Sequence, residues 1–237
     1  RSLFMLYGLI GLASLMLYTW LPDVEAAGSQ ATSGLGPSRR RVYSLAALFA
    51  VDAFGGGFIV NAMLALWLFE RFGISAAAAG AIFFATGLCS SVSFFVAERL
   101  AARFGLINTM VFTHLPSSVF LILAAFAPTL PLTIVYLGLR SLLSQMDVPT
   151  RSSYVMAVVQ PEERPAAAGV TAVPRSLAAA LSPTLAGVAL SLSSFGWPLI
   201  FAGALKIAYD LLLLQGFRAV RPPEEAAVDE NADQAAG

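Results

Sequence analysis

The sequence predicts an all-α membrane protein, and three observations lead there. Hydrophobic residues make up 58% of the 237 and charged residues only 12%, with a mean hydropathy of +0.77. A soluble domain carries about 25% charge, so this chain lacks the charge to cover a water-facing surface. Its apolar residues also fall in long uncharged runs, and a bilayer core of ~30 Å takes about 20 apolar residues per helix. Lastly, the short alternating strands of a membrane barrel are missing from these runs. In hydrocarbon every backbone amide must be paired within its own segment, so such runs read as helices.

Taken in order, Ser2 to Pro22 is one uncharged run and predicts a helix over 2–21. It is too long for a signal peptide and lacks a cleavage site. Because the chain opens with Arg1 directly on this run, it reads as a fragment without its N-terminal part. Residues 22–42 read as a linker: "EAAGSQATSGLGPSRRR" (Glu25 to Arg41) is rich in Gly, Ser and Ala and ends in a basic cluster. Val42 to Phe69 is broken only by Asp52 and predicts a helix over 43–69. Phe72 to Ala97 predicts one over 74–97. The uncharged run from Phe104 to Leu139 is too long for one crossing. The turn-forming "APTLP" at 127–131 splits it into helices 106–127 and 131–148. "SSFGWP" at 193–198 splits the last apolar stretch into 166–192 and 198–217. The tail, 218–237, carries "RPPEEAAVDENADQAAG", which is polar, acidic and expected to be disordered. The layout is one helix, a linker, a six-helix domain over 43–217, and a tail.

Orientation follows from Arg and Lys in the loops. With the linker in the cytoplasm, Arg39, Arg40, Arg41, Arg99, Arg103, Arg151, Arg164, Arg218 and Arg221 fall inside, and only Arg1 and Arg71 outside. The C-terminus is then cytoplasmic. Usage rich in alanine and arginine, with one lysine, points to a GC-rich bacterial genome and hence an inner membrane.

Several function classes drop out. Net charge is zero, so nothing suggests nucleic acid. Cys89 and His114 are single residues of their kinds, which leaves no disulfide and no metal cluster. No Ser/His/Asp set, no paired carboxylates on one segment and no phosphate-cradling glycine loop suggests an enzyme or a cofactor.

The informative residues are charges inside apolar runs. An arginine at mid-helix costs about 2.5–3.5 kcal/mol on insertion scales, so it persists where it faces a bundle interior or a water cavity. Arg140 is such a residue. Asp147 lies seven residues on, about 10 Å along the same helix face, with Ser144 and Gln145 between them and Pro149 set to end or kink the helix. Asp52, followed by "AFGGGFIVN", is a default proton-relay candidate, and Asn61 follows it near mid-membrane. The three glycines allow a bend or a close neighbour. Arg175 sits at a depth comparable to Asp52. It pairs with Asp52 or Asp147, or faces an anionic substrate; the sequence leaves all three open. Lys206 and Asp210, at i and i+4, are read as neutralising each other, and His114 as a hydrogen-bonded structural residue. Thr86, Ser90, Ser91 and Ser93 fit helix–helix hydrogen bonding.

Four segments together resemble the Major Facilitator Superfamily, specifically its C-terminal half. "FVAERLAARFG" (Phe95 to Gly105) is similar to the cytoplasmic loop motif between the second and third helices of each half, with Glu98, Arg99 and Arg103 in the acidic and basic places. Phe94 and Ala101 stand where the pattern has glycines. "YLGLRSLLS" resembles the counterpart of the buried-arginine motif, with Arg140 in that place. "ALSPTLAG" (Ala180 to Gly187) resembles the fifth-helix antiporter motif and keeps Pro183 and Gly187. "PEERPAAAG" (Pro161 to Gly169) resembles the loop before a fifth helix. The resemblance covers essentially the whole chain and makes 1–21 the sixth helix, with the first five missing. It implies that helices seven, eight, ten and eleven line the cavity while nine and twelve are peripheral. That favours Asp52, Arg140, Asp147 and Arg175 over His114 and Lys206. It implies that Glu98, Arg99 and Arg103 form a cytoplasmic gate latch.

The resulting expectation is a monomeric secondary transporter that moves a small organic molecule by alternating access, with protons and the lipid bilayer as its other partners. Proton-coupled efflux is the first expectation. Proton-coupled uptake of a polar or anionic solute, with Arg140 and Arg175 on the anion, is the second. A non-transporting scaffold or sensor is the third.

Overall fold

The computed structural model describes residues 2–20 and 34–217. Among these the chain is helical throughout, with no strand. Residues 21–33 and 218–237, which hold most of the expected linker and the tail, lie outside the described residues. The chain divides into a unit over residues 1–33 and a unit over residues 34–237. The first contains α1 (Ser2–Trp20), an apolar helix without a charged residue.

The second unit holds α2 (Arg39–Gly57), α3 (Asn61–Phe72), α4 (Ala76–Phe104), α5 (Leu106–Phe126), α6 (Leu130–Ser144), α7 (Asp147–Val158), α8 (Arg164–Leu192) and α9 (Trp197–Phe217). Among the described residues, five stretches of this unit are long and apolar enough to cross a membrane. α2 and α3 make one continuous apolar span, Arg39–Phe72, interrupted after the three glycines. There the amides of Phe58 and Ile59 reach back to the Gly55 and Gly56 carbonyls, tightening the last turn before α3 begins. α6 and α7 follow one another with a break at Gln145 and Met146. α4, α5, α8 and α9 are each long and apolar enough to cross a membrane.

The helix ends revise two expectations. α4 runs on to Phe104, so Glu98, Arg99 and Arg103 stand on its last two turns and not in a loop. What ends it is Gly105, whose positive φ of 82° suits a residue without a Cβ, and α5 starts at the next residue. The other revision concerns Pro149, which does not end its helix. It falls in the first turn of α7, where an amide has no intrahelical partner to lose, and the helix continues to Val158. Arg151, expected in a cytoplasmic loop, is therefore a helical residue.

Close helix contacts place the site. α2 lies between α8 and α9. A Cβ on Gly57 would collide with the Ser182 side chain of α8 and come within 2.7 Å of the Ala179 carbonyl oxygen. On α9, Gly203 meets α5: a Cβ there would stand 2.9 Å from the Ser118 carbonyl oxygen. Small residues thus bring α2, α5, α8 and α9 backbone to backbone. At one end of the unit, the loop before α8 is tied to the start of α2. The Gly36 and Ser38 amides donate to the Glu163 carboxylate at 2.6 and 3.3 Å, which caps α2 with an acidic group at its positive end.

Two hydrophobic clusters make the core. One gathers Trp67, Leu68, Leu121, Leu137 and Leu199. The other gathers Leu45, Phe49, Met110, Tyr154 and Leu213. Between them, on each contributing helix, lies a polar stretch: Asp52 on α2, His114 on α5, Arg140 to Arg151 across α6 and α7, Arg175 on α8, and Lys206 on α9. The bundle is a polar layer between two apolar ones.

Candidate functional site

That polar layer surrounds a cavity of about 420 Å³. Its lining includes Asp52, His114, Arg140, Asp147, Arg151, Arg175 and Lys206. Of these, Asp52, His114, Asp147, Arg151 and Lys206 are buried, Arg140 is half-buried and Arg175 is exposed.

Asp52 is the centre of the network. It is buried, and cations from two other helices hold it. Lys206 Nζ donates to Oδ1 at 2.6 Å, and Arg151 Nη2 donates to Oδ2 at 3.1 Å. Arg151 also donates to Asp147, one turn before it on α7, and its guanidinium lies 5.2 Å from the centre of the Phe49 ring. His114 Nδ1, as N–H, donates to the two Asp210 oxygens at 3.0 and 3.1 Å. Its Nε2 stands 3.7 Å from Asp52 Oδ1. Two carboxylate pairs, Asp52–Asp147 and Asp52–Asp210, are thus bridged by Arg151 and His114.

The sequence arranges this locally. Gly55 and Gly56 follow Asp52 by three and four residues, so all three share a face of α2. A Cβ on Gly55 would lie 3.4 Å from Lys206 Cγ, and one on Gly56 3.8 Å from Lys206 Nζ. The glycines leave a channel along which the lysine stem runs to Asp52. This overturns the expected Lys206–Asp210 pair. Lys206 turns to α2, and Asp210 turns to α5 and finds His114. The peripheral placement implied for His114 and Lys206 fails for the same reason: close packing of α9 on α2 and α5 carries both to the cavity.

The remaining candidates sort as follows. Arg140 and Asp147 line the same cavity but are not on one continuous helix, since the break at Gln145–Met146 separates them. Gln145 and Ser144 line it too. Arg175 lines the cavity, but among the described residues it makes no ion pair with Asp52 or Asp147; Arg151 takes that place. Asn61, the first residue of α3, is exposed and is not part of the lining. Glu98 and Arg99 are exposed and border a separate surface hollow beside Phe94 and Phe95; Arg103 stacks on Phe104 at 5.4 Å. Pro183 lies inside α8, and nothing stands within 4 Å of a Cβ placed on Gly187. Thr86 and Ser91 bond to carbonyls of their own helix and not across helices, the usual outlet for a hydroxyl in α4.

Sequence reasoning missed Arg151, and it assigned His114 and Lys206 to other tasks. The signal for Arg151 was its spacing: it follows Asp147 by four residues, within one helix face if Pro149 is read as a first-turn residue.

Comparison with known proteins agrees with this architecture. An uncharacterized membrane protein of Saccharomyces cerevisiae is 29% identical over 171 residues, which is 71% of this chain and 38% of the relative. The chain thus spans well under half the length of that relative. Residues 45–236 match the model of the family described as Major Facilitator Superfamily. That match runs from within α2 through α9, and the chain belongs to the Major Facilitator Superfamily.

Proposed function

We propose that this chain is the C-terminal half of a secondary transporter, a multi-pass membrane protein that moves a small organic molecule by alternating access. On this reading α1 is the sixth span, residues 22–42 are the central linker, and residues 43–217 are the six-helix transport domain. The first five spans supply the facing half, and the two halves rock around a midplane site. Residues 218–237 form a cytoplasmic tail.

One observation carries the reading. A membrane carboxylate, Asp52, is held by cations from α7 and α9 beside a cavity that lies between two apolar layers. A titratable group so placed serves proton coupling. Protonation of Asp52 removes the charge that holds Lys206 and Arg151, and frees α9 and α7 to shift against α2. Asp147 and the His114–Asp210 pair are the next carboxylates along the network. Arg140, Gln145 and Arg175 line the substrate pathway. Glu98, Arg99 and Arg103, at the end of α4, act as the cytoplasmic gate latch against the facing half. The likeness of "ALSPTLAG", with Pro183 and Gly187, to the antiporter motif favours efflux. The bias of arginines favours a cytoplasmic C-terminus, in a bacterial inner membrane.

The test is proton flux in inverted vesicles under an acid-inside gradient, with organic cations, anions and sugars added in turn. Substrate-triggered collapse of the gradient, abolished by Asp52→Asn, is the expected result. A gradient that no compound collapses, with folded protein in the vesicles, overturns proton-coupled efflux.

A further inference from the structure

We propose that the α6–α8 wall of the cavity recognises a small organic anion, a carboxylate on a compact apolar body, through Arg140 and Arg175. The proposal names the substrate class of the transport reading above and rests on it only for the fate of the anion, not for its binding.

The first argument is charge. Arg140, Arg151, Arg175 and Lys206 line the cavity against two carboxylates, Asp52 and Asp147. Both carboxylates are taken: Asp52 by Lys206 and Arg151, Asp147 by Arg151. Neither holds Arg140 or Arg175 in an ion pair among the described residues. Asp210, on α9 and outside the lining, is held by His114. Even with Asp210 counted as an uncompensated carboxylate, the cations exceed the carboxylates. Arg140 is half-buried and Arg175 exposed; a cation withdrawn from water in a membrane bundle is costly without a counter-charge, so Arg140 above all selects an anion. An organic cation meets no unoccupied carboxylate there.

The second argument is an orphaned hydroxyl. Ser144 lines the cavity, is 8% exposed, and its Oγ has no hydrogen-bond partner. It follows Arg140 by four residues and shares its face of α6. A buried hydroxyl without a partner loses free energy that a ligand oxygen restores. Gln145 and Ser176 bring further donors to the same wall. The planar guanidinium fork matches a carboxylate with two parallel bonds.

The third argument is the apolar part of the lining. Ala53, Gly56, Gly57 and Val60, on and just after α2, present small apolar surface, and Ala179 of α8 adds to it. At about 420 Å³ the space admits a compact body and falls in the ordinary range for small-molecule sites, roughly 300–1,000 Å³.

The experiment is equilibrium binding of radiolabelled benzoate and butyrate to the purified protein, with benzamide and tetraethylammonium as neutral and cationic controls. Saturable benzoate binding is expected. It falls at least about tenfold in Arg140→Gln and in Arg175→Gln, by less in Ser144→Ala, and is partly retained in Arg140→Lys. Circular dichroism shows that each variant is folded. Benzamide bound as well as benzoate, preference for tetraethylammonium, no carboxylate bound by folded wild type, or binding unchanged in both arginine variants overturns the proposal. The vesicle assay separates the two readings. Carboxylate binding without proton flux sinks coupling alone, and flux driven by organic cations without carboxylate binding sinks the anion site alone.

Discussion

Lys206 donates to Asp52 at 2.6 Å across 154 residues of chain, through a gap left by Gly55 and Gly56. One side chain from the last helix and one from the first crossing of the second unit thus share a proton-bearing bond in the membrane interior.

Removing one partner of that pair is worse than removing both. Lys206→Met strands Asp52 against Arg151 alone, and Asp52→Asn leaves Lys206 buried without its carboxylate. Each single change is expected to lower stability by about 3–5 kcal/mol, and the double variant to recover part of it. Thermal unfolding in detergent reads this. Additive losses would show that the two residues do not interact.

Arg151 holds Asp52 on α2 and Asp147 on its own helix at once. A lysine at 151 offers a point charge without the fork and holds one carboxylate less well. Arg151→Lys is therefore expected to keep the fold and lose at least about tenfold in substrate-driven flux, while Arg151→Ala also loses stability. Full activity in Arg151→Lys would reduce the residue to simple charge balance.

The glycines divide sharply. Gly57→Ala places a methyl into Ser182 and the Ala179 carbonyl, and is expected to cost about 1–3 kcal/mol by overpacking. Gly187→Ala meets nothing within 4 Å and is expected to be neutral or stabilising by up to about 1 kcal/mol, as an alanine in a helix should be. Melting temperatures of the two variants check the contrast.

Glu163→Gln keeps the shape of the α2 cap and removes its charge. Amide exchange at residues 36–42 is expected to speed up, because the carboxylate that accepts from the Gly36 and Ser38 amides loses its charge, and that at α5 to stay unchanged. Equal protection in wild type and variant would show that the cap carries no weight.

The spans were legible because each is a long, mostly apolar run closed by charge or turn residues, and helices 106–127 and 198–217 match α5 and α9 nearly to the residue. The charges destined for the cavity were legible for the complementary reason: Asp52, Arg140 and Asp147 are too costly to face lipid. Their partners were not legible. Which cation meets Asp52 depends on how closely α9 approaches α2, and that distance is set by residues with no side chain. Lys206 and Asp210 looked self-sufficient on one helix until α2 offered the lysine a better partner and α5 offered one to the aspartate. Arg151 was lost because Pro149 was taken as an ending and is a beginning.

The polar layer also has a history in time. Asp52 enters the membrane long before Lys206 has been translated: at about 5–20 residues per second, the 154 residues between them take roughly 8–30 s. Arg151 arrives first, after 99 residues, and brings Asp147 with it. Until then the newborn α2 must keep its carboxylate protonated, wet, or sheltered by the insertion machinery. The bond that closes the bundle is therefore among the last the ribosome permits, and a chain stopped short of α9 would leave an acid in the bilayer for quality control to find.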